Sequence, residues 1–200
     1  SASAESPVIE LDFQPEITTQ VASRFVTEGD AFVDGLTVSV SKGTWIHLDG
    51  APVEVTATGT LYGPFDEQPA EADTPPAGAP IAGTETVTLT GAGSYTSPGT
   101  IIAPESGFYP WVWAIDKDAH GDHAKYLTDS FTDRYGRVAE TSVVPFQPAA
   151  VSEADQRLAV PGDVLTDTIT VSSSNGAWLK KDGAFIPVVP EKEDDFAVTD

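Results

Sequence analysis

Apolar and polar residues alternate along this chain in short bursts, and most bursts are closed by glycine, proline or aspartate. An extended backbone points successive side chains to opposite faces, so each burst predicts a strand with one buried side. Residues 8–14 alternate in this way, with Pro15 ending the run or bending it. Residues 17–26 are rich in β-branched types and predict a second strand. Gly29-Asp30 is a turn. Leu36, Val38 and Val40 share one face of a strand over 36–41. Asp49-Gly50 predicts a tight hairpin between 44–48 and 53–62, because glycine accepts a positive φ. Residues 63–80 are rich in proline and acid and predict a long loop without sheet pairing. Strands are expected over 84–90, 100–103, 107–115 and 137–144. Residues 91–99 read as turns and 116–136 as irregular, charged chain. No stretch keeps a helical period for more than a turn or two. Short strands between turn residues predict an all-β chain folded as an Ig-like antiparallel β-sandwich.

The pattern is written twice. Residues 8–57 fall on 141–190 without a gap, at a spacing of 133, and about a third of the positions are identical. Phe13-Gln14-Pro15 falls on Phe146-Gln147-Pro148. Arg24, Gly29, Asp30 and Asp34 fall on Arg157, Gly162, Asp163 and Asp167. Gly43, Trp45 and Asp49-Gly50-Ala51 fall on Gly176, Trp178 and Asp182-Gly183-Ala184. A fixed period marks a tandem array. The expected organisation is one complete repeat over 1–140 and a partial second repeat over 141–200, in which 141–190 matches 8–57 and an acidic run follows Pro190.

Acidic residues outnumber basic ones 31 to 10, for a formal charge of −21. Such a surface repels nucleic acid and anionic lipid, which removes both from the expected partners. No apolar run is long enough to insert in a membrane as a helix. Cysteine is absent, which excludes disulfides and thiolate metal sites. Ala, Thr, Val, Pro and Gly abound while Lys, Asn and Met are scarce or absent, a bias that suits a high-GC bacterial genome.

Several segments together carry a resemblance: Leu-Asp-Phe-Gln-Pro (11–15), Trp-x-x-x-Asp-Gly-Ala-Pro-Val (45–53), Gly-Thr-Leu-Tyr-Gly-Pro (59–64), Gly-Ser-Tyr-Thr-Ser-Pro-Gly-Thr-Ile (93–101), Gly-Phe-Tyr-Pro-Trp-Val-Trp (107–113) and Tyr-Gly-x-x-Ala-Glu-Thr (135–141). Over most of its length the chain resembles the repeat unit of long actinobacterial cell-wall-anchored surface proteins. The resemblance implies a secreted, cell-surface array of Ig-like, adhesin-like units. Its partners would be neighbouring repeats or identical subunits, together with a host protein or glycan. The alternative is a filament subunit completed by strands from another chain through its partial repeat, with Phe146, Trp178 and Ile186 as assembly residues.

Candidate chemistry is sparse. Tyr109, Trp111 and Trp113 share one face of an extended strand. They could stack on sugar rings as a carbohydrate-binding module would, but large aromatic residues on a central strand more often fill a sandwich core. Trp45 and Trp178 recur at one repeat position and read as packing residues. Asp116, Asp118 and Asp122 follow the aromatic strand at the alternate spacing that a calcium loop uses, and calcium is the one cofactor left open. Asp30 and Asp34, echoed as Asp163 and Asp167, form a second acidic pair. His120 and His123 are three apart but have no third histidine nearby in sequence. Lys42, Lys117 and Lys125 are the first repeat's candidates for a Lys–Asp isopeptide bond. No nucleophile motif or singled-out carboxylate pair points to catalysis, so no enzyme is expected.

Overall fold

The computed structural model describes residues 11–188. Residues 8–10 of the first predicted strand and the acidic run after Pro190 lie outside them. Gln14–Val21 (β1) and Asp34–Lys42 (β2) pair antiparallel, with Ile17 opposite Val38 and Thr19 opposite Leu36. Leu36 and Val38 point inward, as the alternation predicts. Pro15 lies inside β1 rather than at its end. The ladder shifts register between Gln14 and Pro15, and β1 is an edge strand of its sheet, where a missing N–H is tolerated. His47–Leu48 (β3) and Ala51–Pro52 (β4) form the predicted hairpin, with Asp49 and Gly50 at φ 51° and 84°.

Val55–Tyr62 (β5) and Ile81–Leu89 (β6) pair next. Gly93–Thr96 (β7) adds to the far edge of β2, although residues 91–99 read as turns. Gly107–Ile115 (β8) pairs with β5, with Phe131–Thr132 (β9) and with Thr141–Val144 (β10). The strand expected over 100–103 is a single bridge, Ala31 to Ile102. Within the 63–80 loop, Phe65 and Ala72 do bridge, to Phe108 and Tyr135. The charged stretch after β8 holds a kinked 3-10 helix, Lys117–Tyr126.

The result is an all-β sandwich. A sheet of order β1-β2-β7 faces a five-stranded sheet of order β10-β8-β5-β6 with β9 on β8. Ile17, Leu36 and Val38 from the first sheet share one buried cluster with Val55, Leu61, Trp111 and Trp113 from the second. Gly59 is required by this packing, because a Cβ there would lie 2.6 Å from the Trp113 ring.

The second copy follows the first strand by strand. Pro148–Ala154 (β11) and Asp167–Ser173 (β12) form a two-stranded sheet, and Lys180–Lys181 (β13) and Ala184–Phe185 (β14) form a small hairpin. Val21 and Ala154, Asp34 and Asp167, His47 and Lys180, and Ala51 and Ala184 hold equivalent places, each pair 133 apart. The hairpin turn recurs, with Asp182 and Gly183 at φ 53° and 78°.

Candidate functional site

The place where the chain brings its singled-out residues together is the junction between the two copies. Trp178 packs on Phe146 at 4.7 Å between ring centroids, and its indole N–H donates to the Ile186 carbonyl at 2.8 Å. Trp45 does the same in the first copy, 4.8 Å from Phe13 and 2.9 Å from the Val53 carbonyl. The recurring tryptophan therefore clamps the recurring hairpin, as a packing residue would. In the second copy this clamp has a further use. It holds Leu179 against Phe108 of β8 and Val143 of β10, and Phe65, Phe146 and Ile186 pack around them.

Hydrogen bonds lock the same seam. The Ser106 backbone N–H donates to the Asn175 carbonyl at 2.8 Å and its hydroxyl donates to the Ala177 carbonyl at 2.7 Å. Gly176 lies against this residue at φ 130°, where a Cβ would sit 2.6 Å from the Ser106 hydroxyl oxygen. The Lys180 N–H donates to the Asp66 carbonyl at 2.7 Å, while its ammonium pairs with the Asp66 carboxylate at 2.8 Å. That hydrogen bond and the nearby charge raise the Lys180 pKa. Gly183 N–H donates to Glu67 at 2.8 Å. Asn175 crosses back, accepting from Gln147 N–H and donating to the Pro145 carbonyl. The predicted assembly residues Phe146, Trp178 and Ile186 are thus gathered in one place, and that place is a contact within the chain.

A groove of about 690 Å³ runs beside the junction. Phe25, Phe108, Phe146 and Ile186 line its apolar walls, and Arg24 and Lys181 stand at its rim. Arg24 is committed to structure. Its guanidinium donates to the Thr141 and Val138 carbonyls and to the Gln68 side chain, and burial lowers its pKa.

The other sequence candidates are placed differently. Tyr109, Trp111 and Trp113 do share a face, but it is the core face of β8, and all three are fully buried. Trp111 and Trp113 stack on each other with centroids 5.5 Å apart, so the row cannot receive a sugar ring. β8 is covered on both sides, by the sandwich core and by the junction cluster at Phe108. Asp116, Asp118 and Asp122 are exposed around the 3-10 helix. Asp116 caps that helix by accepting from Asp118 N–H. Among the described residues no three His, Cys, Asp or Glu side chains come together as a metal would need. His120 accepts the Thr56 N–H on Nε2 at 2.9 Å and so donates from Nδ1 to the Asp116 carbonyl. Lys42 pairs with Asp12 in the open, Lys117 donates to the Thr128 carbonyl, and Lys125 lies over the Tyr126 ring.

Several acids are buried, which the sequence does not predict. Asp34 is fully buried, and its carboxylate accepts the Trp113 indole N–H at 2.7 Å from the opposite sheet. Its other oxygen has no hydrogen-bond partner among the described residues. Burial pushes the Asp34 carboxyl up to about 7. Glu140 is buried beside Asp133, and Arg137 reaches both at 3.3 and 3.4 Å. Burial, then the shared contact with Asp133, holds the Glu140 carboxyl well above the ordinary carboxylate range. Glu85 turns inward and accepts from the Thr100 hydroxyl at 2.9 Å and the Ile101 N–H at 3.2 Å. A carboxylate looks solvated in a sequence, because the groups that will face it in the fold are not adjacent to it. The recurrence of Asp34 as Asp167 is the one signal the sequence offers for its burial.

Among the described residues no helix is long and apolar enough to cross a membrane. No protein-family model matches the chain, and no curated protein matches it.

Proposed function

We propose that this chain is a length of tandem surface stalk, whose units join head to tail through a built junction and hold a fixed spacing. The observation that carries the reading is the junction itself. The head of the second copy, Gly176 to Ile186, is seated on the tail of the first by an apolar cluster, an ion pair and a set of backbone hydrogen bonds. A flexible tether between domains would need none of these contacts. The high negative charge fits an exposed, soluble array that repels its neighbours. The resemblance to cell-wall-anchored repeats supplies the setting, a bacterial surface. Function in such an array is mechanical and multivalent rather than catalytic.

Nuclear spin relaxation on the full chain tests this. A built junction gives β1–β10 and β13–β14 one common rotational correlation time. Leu179→Asp puts a charge into the apolar seam and is expected to split that value into two. Independent tumbling of the two parts in the unaltered protein would refute the stalk reading.

A further inference from the structure

The β11–β12 hairpin repeats β1–β2 residue for residue, yet lacks what covers β1–β2. Ile17 pairs with Val38 and Thr19 with Leu36 in the first copy, as Ala150 pairs with Val171 and Ser152 with Ile169 in the second. Leu36 and Val38 are 1% and 3% exposed, whereas Ile169 and Val171 are 63% and 55% exposed. Phe32 is fully buried against Tyr109, and its counterpart Leu165 is 70% exposed. The edge is open as well. β7 pairs with β2 from Gly35 to Val38, but the equivalent stretch of β12, residues 168–171, has no second strand among the described residues.

We propose that this hairpin is a receptor for a polypeptide segment of the kind formed by residues 55–140, one that lays a Trp-x-Trp strand on its face and a short strand on its edge. Asp167 names the tryptophan. Its counterpart Asp34 stands on the inward face of a sheet whose core residues there are largely apolar, and is met by the Trp113 indole N–H. An acid on such a face is costly to cover unless a donor reaches it. Asp167 keeps that place and is exposed. The occupant must therefore bring a hydrogen-bond donor to the same point, the part that the Trp113 indole N–H plays in the first copy.

The same residue argues against a second copy of this chain. Two hairpins packed face to face would bring two Asp167 carboxylates into one apolar seam, where like charges repel. Nor does an intact copy have a sheet to lend, since its β5, β6, β8 and β10 already lie over its own β1 and β2. A sugar or lipid would leave the edge amides of residues 168–171 unpaired. A peptide sheet satisfies both the face and the edge. This inference depends on the internal repeat alone and stands or falls apart from the stalk reading.

Amide hydrogen exchange tests it. Residues 58–140 of this sequence are joined directly after Pro190, which gives the second copy the segment that the first copy has. The peptide covering 167–173 is compared in the full chain of 200 residues and in the lengthened chain. Slowing by about a hundredfold or more is expected in the lengthened chain, as for strands that become core. Asp167→Ala in the lengthened chain is expected to remove at least about a tenfold part of that slowing. Unchanged exchange in the lengthened chain overturns the proposal, whether the added segment stays unfolded or folds elsewhere. Concentration-dependent self-association of the 200-residue chain that protects the same peptide also overturns it, by making a second copy the occupant. Protection indifferent to Asp167→Ala removes the indole assignment.

Discussion

Replacing Asp34 by asparagine separates a buried charge from the hydrogen bond it makes. The amide oxygen can still accept the Trp113 indole N–H, but nothing titrates. Asp34 carries a carboxyl raised from 3.8 to about 7 in the folded state by burial, with Asp133 adding repulsion and the Trp113 bond opposing both. A raised carboxyl means that the folded protein holds a proton that the unfolded chain releases. Its favourable contribution is complete below about pH 4 and is lost as the pH rises through about 7. With about 1.4 kcal/mol per pKa unit, the penalty relative to acid pH is about 1.7 kcal/mol at pH 5 and about 4 kcal/mol at pH 8. The wild type should therefore lose about 2–3 kcal/mol through this group between pH 5 and 8, which the variant cannot lose. At pH 5 the asparagine brings unpaired N–H donors into the core and destabilises by about 1–2 kcal/mol. At pH 8 that deficit should vanish or reverse. Urea unfolding followed by tryptophan fluorescence, on both proteins at unit steps of pH, measures the difference directly. All other ionisable groups are the same in both proteins, so their contributions largely cancel. Parallel stability curves over pH 5–8 would refute the reasoning.

Two further substitutions probe the packing. Gly59→Ala places a methyl 2.6 Å from the Trp113 ring and should cost about 1–3 kcal/mol in urea unfolding, with a changed near-ultraviolet dichroism from the displaced indole. An unchanged spectrum and midpoint would show that β5 and β8 have room that this packing denies them. Glu85→Ala leaves the buried Ile101 N–H without its acceptor and should lower stability by about 1–3 kcal/mol, while Glu85→Gln, which keeps an oxygen there, should lower it less. Equal losses in the two variants would assign the effect to side-chain packing instead.

How far the sequence could be read follows from what each element needs locally. The hairpin at Asp49-Gly50 and its copy at Asp182-Gly183 were legible because positive φ selects those residues. The strands over 36–41 and 53–62 were legible because one face is buried and one wet. β7 was not, because Gly93-Ser94-Tyr95-Thr96 carries no alternating apolar face and is held only by pairing with β2. Pro15 disrupts the ladder, as a bend predicts, but does not end β1, because an interior proline is excluded only on a central strand and edge position is a tertiary fact. The aromatic strand was legible as a row, and burial on both sides then decided between core and platform. Phe146, Trp178 and Ile186 were legible as a group set apart by the repeat. That Leu179 would seat them on Phe108 and Val143 required the fold. The buried acids were the least legible, since a carboxylate in the core is chosen by the group facing it, and Trp113 lies 79 residues away along the chain from Asp34.

The proton on Asp34 has a mechanical side. Between about pH 4 and 7 a folded unit holds that proton and an extended one gives it up. Pulling a unit open therefore releases an ion as well as lengthening the chain. Acid opposes that release and alkali assists it, so the work needed to extend the protein under tension falls as its surroundings become more basic. A stalk made of such units would stretch at a load set partly by the acidity of the medium around it.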